Sequence, residues 1–130
     1  MIIALDFDGT CLTHFYPLMG RNIGAVPVLK RVTDNNHKLI LWTMRSGKEL
    51  KEAARWFKLN GIPLYASQTN PTQFRWTESP KAFAHLYIDD AGLGIPLTRN
   101  YQKGEHSFTD KRPFVDWNKV ETLLEEKGII

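Results

Sequence analysis

Ile2-Ile3-Ala4-Leu5-Asp6-Phe7-Asp8-Gly9-Thr10 is the stretch on which the reading of this chain turns. Four branched or small apolar residues in a row predict a strand buried on both faces. Asp6 and Asp8 follow at the strand's carboxyl end. Alternation along an extended chain predicts that both carboxylates project to one side. Two close carboxylates repel, and burying either is costly without a cation between them. A bound divalent cation solves both problems, and an all-oxygen site favours Mg2+.

The chain around this stretch alternates strand and helix. A polar, turn-rich loop is expected from Thr10 to about Gly24, then a helix from Ala25 to about Asn36. Pro27 suits its first turn, and Ala25, Val28, Leu29 and Val32 form one apolar face. Leu39 to Thr43 reads as a second buried strand. A second helix is expected from Lys48 to about Leu59, with Leu50, Ala53, Ala54 and Phe57 inward and Asn60-Gly61 as its stop. Ile62 to Ala66 reads as a third strand. A polar connection follows from Ser67 to Ser79, then a short helical turn over Pro80 to Ala84. His85 to Ile88 is a fourth strand running into Asp89-Asp90, and Ile95 to Thr98 a short fifth. Arg99 to Arg112 reads as loop. A last helix spans Asp116 to about Lys127, capped by Asp116, with Trp117, Val120, Leu123 and Leu124 inward.

Such alternation implies a parallel sheet covered on both faces, with ligands beyond the carboxyl ends of its strands. Asp6, Thr43 and Asp89 each stand at such an end. Far apart in sequence, they are brought by this topology to one rim, which is the strongest argument for a site.

The composition fits one domain with a core of ordinary size. The chain has 130 residues, 42% apolar and 24% charged, and no apolar run of membrane-spanning length or signal-peptide layout. Cys11 is the only cysteine, so no internal disulfide forms, in keeping with a reducing cytoplasm. Close to two aspartates, it reads as a buried, inert thiol. A net charge of +3 is too weak to argue for a nucleic-acid partner.

These residues carry a resemblance. Asp6-Phe7-Asp8-Gly9-Thr10, Thr43 ending an apolar strand, Lys81, and Asp89-Asp90 ending another are similar, in order, to the four motifs of the haloacid dehalogenase (HAD) superfamily. The resemblance implies a three-layer α/β/α Rossmann-like fold and a Mg2+-dependent phosphomonoester hydrolase. Asp6 would be the nucleophile that forms an aspartyl phosphate. Asp8 would protonate the leaving alkoxide and then activate water. Thr43 would bind a phosphoryl oxygen, and Lys81 would neutralise charge on the nucleophile and the phosphoryl group. Asp6, the Asp8 carbonyl, Asp89 and Asp90 would hold the metal, with Asp90 favoured as direct ligand and Asp89 alternatively orienting Lys81. Thr10, Thr43, Met44, Arg45 and Lys81 would line the substrate. The acid at Asp8 points to phosphate esters, since P-type ATPases carry Thr there and dehalogenases lack an acid.

Some residues admit two readings. Arg45 binds the substrate phosphate or makes a surface salt bridge. His14 either touches substrate or is incidental, and His85 reads as a satisfied core histidine. Trp42, Trp56 and Trp117 read as packing. Trp76, beside Phe74 and Arg75, is placed to stack on a base or close an interface. The intervals from Asp6 to Thr43 and from Thr43 to Lys81 are filled by the assigned elements, so no cap domain fits. An open site would accept a small phosphorylated molecule or a phosphorylated polymer end, or be closed by a second subunit of a homo-oligomer. A silent phosphate- or metal-binding regulatory module and a phosphotransferase share the same residues.

Overall fold

The apolar run at the amino terminus is the strand β1 (Ile2–Leu5) in the computed structural model, which describes residues 1–130. It lies inside a four-stranded parallel sheet with β2 (Lys38–Leu41), β3 (Ala66–Ser67) and β4 (Leu86–Ile88), in the order β3-β2-β1-β4. The registers Ile3↔Leu39 and Leu5↔Leu41 on one side, and Leu5↔Ile88 on the other, put these side chains on one face. Three helices bury their stripes against that face in one cluster. They are α1 (Ala25–Asp34) with Val28, Leu29 and Val32, α2 (Gly47–Leu59) with Ala53 and Phe57, and α3 (Trp117–Glu126) with Trp117, Val120 and Leu124. Four strands and three helices in this arrangement are compatible with a Rossmann-like fold. No helix is long and apolar enough to cross a membrane.

The helices form where the apolar spacing predicts. The α3 start is fixed by Asp116, whose Oδ1 accepts from the Lys119 N–H (3.3 Å). Elsewhere the chain departs from expectation. The third strand is two residues long and begins at Ala66, because Pro63 has no N–H for the ladder and Ile62 is spent in the core. No helix forms over Pro80 to Ala84; a single 3-10 turn at Gln73–Arg75 interrupts the connection instead. Thus the face bearing Ala4 and Ile40, both buried outside the main cluster, receives no helical stripe.

The segment read as loop after Arg99 is mostly strand. β5 (Leu97–Tyr101) and β6 (Phe108–Val115) form a separate antiparallel hairpin with a register shift between Thr98 and Asn100. Its polar residues hid it. The hairpin's base is tied to the main body where the Val115 N–H donates to Gly9 O (3.0 Å).

The order β3-β2-β1-β4 has a direct consequence. From β1 the chain moves by way of α1 to β2 and by way of α2 to β3, then returns across the sheet to β4 on the far side of β1. The connections therefore diverge between β1 and β4. Such a switch point leaves a crevice at the carboxyl edge of a parallel sheet. Asp6 follows β1 there, and Asp89-Asp90 follow β4.

Candidate functional site

The site is built on the turn after β1. The Asp6 N–H extends the ladder by donating to Ile88 O (2.9 Å). The chain then folds back, with the Cys11 N–H donating to Phe7 O (2.8 Å) and the Gly9 N–H to Leu12 O (2.8 Å). Gly9 has φ of 78°, and a Cβ there would collide with the His14 ring and lie 2.7 Å from Asp90 Oδ2. Only glycine fits, on both conformation and space.

Asp6, Asp89 and Asp90 come together at the switch point, each offering a carboxylate oxygen within 4.8 Å of the others. Such a triad can hold a metal ion, and its all-oxygen donor chemistry fits a hard divalent cation. Without one, burial, followed by the Asp89 charge and the Asp90 side chain, pushes the Asp6 carboxyl up to about 7, against the lowering effect of the Thr10 hydroxyl.

Thr10 is wholly buried and ties the cluster. Its hydroxyl donates to Asp6 Oδ2 (2.7 Å) and accepts from the Asp90 N–H (3.0 Å). Thr10 therefore holds the carboxylates in place and has no surface to offer a substrate, which corrects its assignment to substrate binding. Its carbonyl accepts from Trp117 Nε1 (2.7 Å), linking the turn to α3. His14 Nε2 lies 2.8 Å from Asp90 Oδ2, so this loop histidine touches the cluster itself. Asp89 Oδ1 accepts from the Ala91 N–H (2.9 Å).

The Asp8 carboxylate is not part of the triad. Both its oxygens face Arg45, with Nε donating to Oδ2 (2.8 Å) and Nη2 to Oδ1 (2.8 Å). Arg45 is neither a substrate-facing nor a surface residue. It is 1% exposed, donates to Leu18 O (2.7 Å), and lies between the rings of Phe7 and Tyr16, its Cζ 5.1 and 5.4 Å from their centroids. Its paired hydrogen bonds to Asp8 raise its pKa further.

β2 ends at Leu41, short of the expected Thr43, which stands just beyond it at the same edge. Its Oγ1 accepts from the Arg45 N–H (3.1 Å), and Met44 between them is 97% exposed. Sequence reasoning missed Gln68, whose side-chain amide holds this turn. Nothing in the sequence signals it, because its partners lie more than twenty residues away.

Lys81 is not brought to the carboxylates. It is exposed, it forms no ion pair, and its Nζ lies 5.3 Å from the centre of the Tyr87 ring. His85 is also exposed and not a core residue; its Nδ1 accepts from the Ile2 N–H (2.9 Å). Cys11 is fully buried, and burial with the Asp6 and Asp8 charges drives its thiol pKa well above the usual range. Trp56 and Trp117 pack as expected, whereas Trp76 is 66% exposed with only its edge against Phe83. A cavity of about 710 Å3 between the hairpin and the start of α1, bordered by Arg21, Tyr101 and Lys103, includes none of the site carboxylates.

No family model matches the chain, and no curated protein matches it. A solved structure does: a conserved protein coded by a locus of Bacteroides thetaiotaomicron. It is 34% identical, with a TM-score of 0.74, over 98% of this chain and 91% of that one. The chain belongs to the same family as this conserved Bacteroides protein.

Proposed function

We propose that the protein is a Mg2+-dependent phosphomonoester hydrolase of HAD type, uncapped, acting through an aspartyl-phosphate intermediate. The observation that carries this reading is the convergence of Asp6, Asp89 and Asp90 within 4.8 Å at the switch point between β1 and β4. The Thr43 hydroxyl lies just beyond the neighbouring strand β2. Asp6, Asp89, Asp90 and the Asp8 carbonyl would hold the cation. Bound there, it would offset the repulsion between an anionic nucleophile and an anionic phosphate.

The chain's own residues then divide the work. An Asp6 oxygen attacks phosphorus, and the P–O bond to the alkoxide breaks. The Thr10 hydroxyl orients the attacking carboxylate. Thr43 donates to a phosphoryl oxygen. Asp8 gives the alkoxide its proton and later takes one from the attacking water. Before the first step one Asp8 oxygen leaves Arg45 and takes up a proton from solvent, which is the proton it then gives, while the other oxygen stays paired. Lys81 reaches the phosphoryl group only by leaving the Tyr87 ring.

One observation favours a second reading. With both Asp8 oxygens held by a buried guanidinium and Lys81 away from the carboxylates, the site suits a silent module that binds metal and phosphate. A phosphate-release screen with Mg2+ decides between them. It would cover an aryl phosphate, sugar phosphates, nucleotides, phosphopeptides and end-phosphorylated oligonucleotides. Hydrolysis is expected to be abolished by EDTA and by Asp6→Asn. Activity that survives Asp6→Asn refutes the nucleophile, and metal and phosphate binding without turnover across the panel establishes the silent module.

A further inference from the structure

The backbone of Gln68 has φ of 62°, in the left-handed region that a glutamine rarely occupies. It sits immediately after β3, and its own N–H still donates to Leu41 O (2.7 Å). Beyond that bond the chain turns away from β2, so β3 has no further backbone to pair with Thr43. The side chain replaces it. Gln68 Oε1 accepts from the Thr43 N–H (2.9 Å), and Nε2 donates to Thr43 O and to Arg45 O (3.3 Å). One primary amide thus makes the next rung of the ladder, which no later residue of β3 supplies.

The consequences run in two directions. With its backbone satisfied, Thr43 is fixed, and its Oγ1 accepts from the Arg45 N–H. The hydroxyl hydrogen then remains available to an acceptor outside the protein. The Met44 N–H, in the middle of this turn, has no protein acceptor. On the other side, the same turn delivers Arg45 to Asp8. A left-handed glutamine spending its whole amide on one turn is backbone strain offset by positioning.

We propose that Gln68 is a positioning residue that sets the Thr43–Arg45 turn for phosphoryl binding; this rests on the function proposed above. It touches no reacting atom. Its effect passes through the placement of the Thr43 hydroxyl and the Met44 N–H, and through Arg45 to Asp8.

Three variants separate the backbone from the amide. Gln68→Gly relaxes the left-handed conformation and removes the amide. Gln68→Asn keeps an amide and tolerates that conformation, but is one methylene short. Gln68→Glu keeps the length and turns the donor into an acceptor against two carbonyl oxygens. Each would be measured for aryl phosphate hydrolysis (kcat and KM), binding of inorganic phosphate with Mg2+, and thermal unfolding.

The expected result is a loss of about 10- to 100-fold in kcat/KM for Gln68→Gly and Gln68→Glu, the scale of a small misplacement of catalytic groups. Phosphate should bind several-fold more weakly. Gln68→Asn should recover part of both, and the unfolding temperature of Gln68→Gly should stay near that of the parent. Parent-like kinetics and phosphate affinity in Gln68→Gly overturn the proposal, as does a loss that tracks only the unfolded fraction. If the parent binds phosphate without hydrolysing anything, the hydrolase reading fails alone. The phosphate affinities then decide on Gln68, weaker binding supporting the proposal and unchanged binding overturning it. A parent that neither hydrolyses nor binds phosphate overturns both.

Discussion

Replacing Asp6 by Asn should stabilise the protein when no divalent cation is present. Burial first, then the Asp89 charge and the Asp90 side chain, raise the Asp6 carboxyl from 3.8 to about 7. A carboxyl raised on folding is neutral in both states below its unfolded pKa and contributes nothing there. As pH climbs from about 4 to about 7, the unfolded chain ionises while the folded one retains its proton, so stability falls with rising pH. About three pH units at roughly 1.4 kcal/mol each give a ceiling of about 4 kcal/mol above pH 7. Asp6 is only partly buried, so solvent screens part of this and the expected gain for Asp6→Asn at pH 8 is about 2 kcal/mol or more. Asparagine keeps an oxygen for the Thr10 hydroxyl to donate to, so that hydrogen bond survives.

Urea unfolding of parent and variant in EDTA, from pH 4 to pH 9, measures this directly. Taking the difference between the two proteins cancels the titration of every group that does not interact with Asp6. The variant should gain on the parent as pH rises, with no difference near pH 4. Added Mg2+ should reverse the order, because only the parent keeps the full set of ligand charges and gains binding energy on folding. A variant equal to or less stable than the parent at pH 8 in EDTA would refute the reasoning, since it would mean that Asp6 ionises at no cost.

Asp8 should behave in the opposite way. Arg45→Met strips a carboxylate of its paired guanidinium, and Asp8→Asn leaves a buried guanidinium without its counter-ion; each should cost about 3 kcal/mol in urea unfolding. Arg45→Lys should recover only part, because an ammonium cannot donate the paired bonds. The Cys11 thiol should resist an aromatic disulfide reagent at pH 8 in the native state and react fully in urea; prompt labelling of native protein would show that the turn under Asp6 opens.

What the sequence made legible follows the strength of its patterns. The apolar runs of β1, β2 and β4 and most of the three helical stripes read correctly, because a buried surface leaves a periodic mark; Leu123, expected inward on α3, is instead exposed, and β4 begins at Leu86 rather than His85. The β5–β6 hairpin left none. Arg99, Asp110, Lys111 and Arg112 lie along exposed strands, and Pro113 interrupts the run ahead of the buried Phe114-Val115. The carboxylate cluster was legible because strand ends in a parallel sheet share an edge, so position along the chain predicts position in space. Gln68 and the Arg45–Asp8 pair were not, because each depends on where a long side chain goes once the backbone has left its strand.

That distinction explains why Asp6 and Asp8 part company. The rule that alternate residues share a side holds only while the chain is extended, and β1 ends at Leu5. Phe7 already accepts the hydrogen bonds that close the turn, and Gly9 completes it in the left-handed region. Asp6 thus remains on the β4 side, facing Asp89 and Asp90, while Asp8 swings to Arg45 beyond β2. The repulsion between the two carboxylates is relieved by separation, and each charge is then met differently. Asp8 has a guanidinium partner within the fold. Asp6 has only a hydroxyl and two further acids, so in the folded protein it keeps a proton to about pH 7 or takes up a cation. A carboxylate whose neutralisation is left to something outside the chain is poised to exchange it, whereas the charge of one already paired is met within the fold. The opposite signs expected for Asp6→Asn and Asp8→Asn follow from that difference, and the residue proposed above as nucleophile is the member of the pair whose partner the protein does not provide.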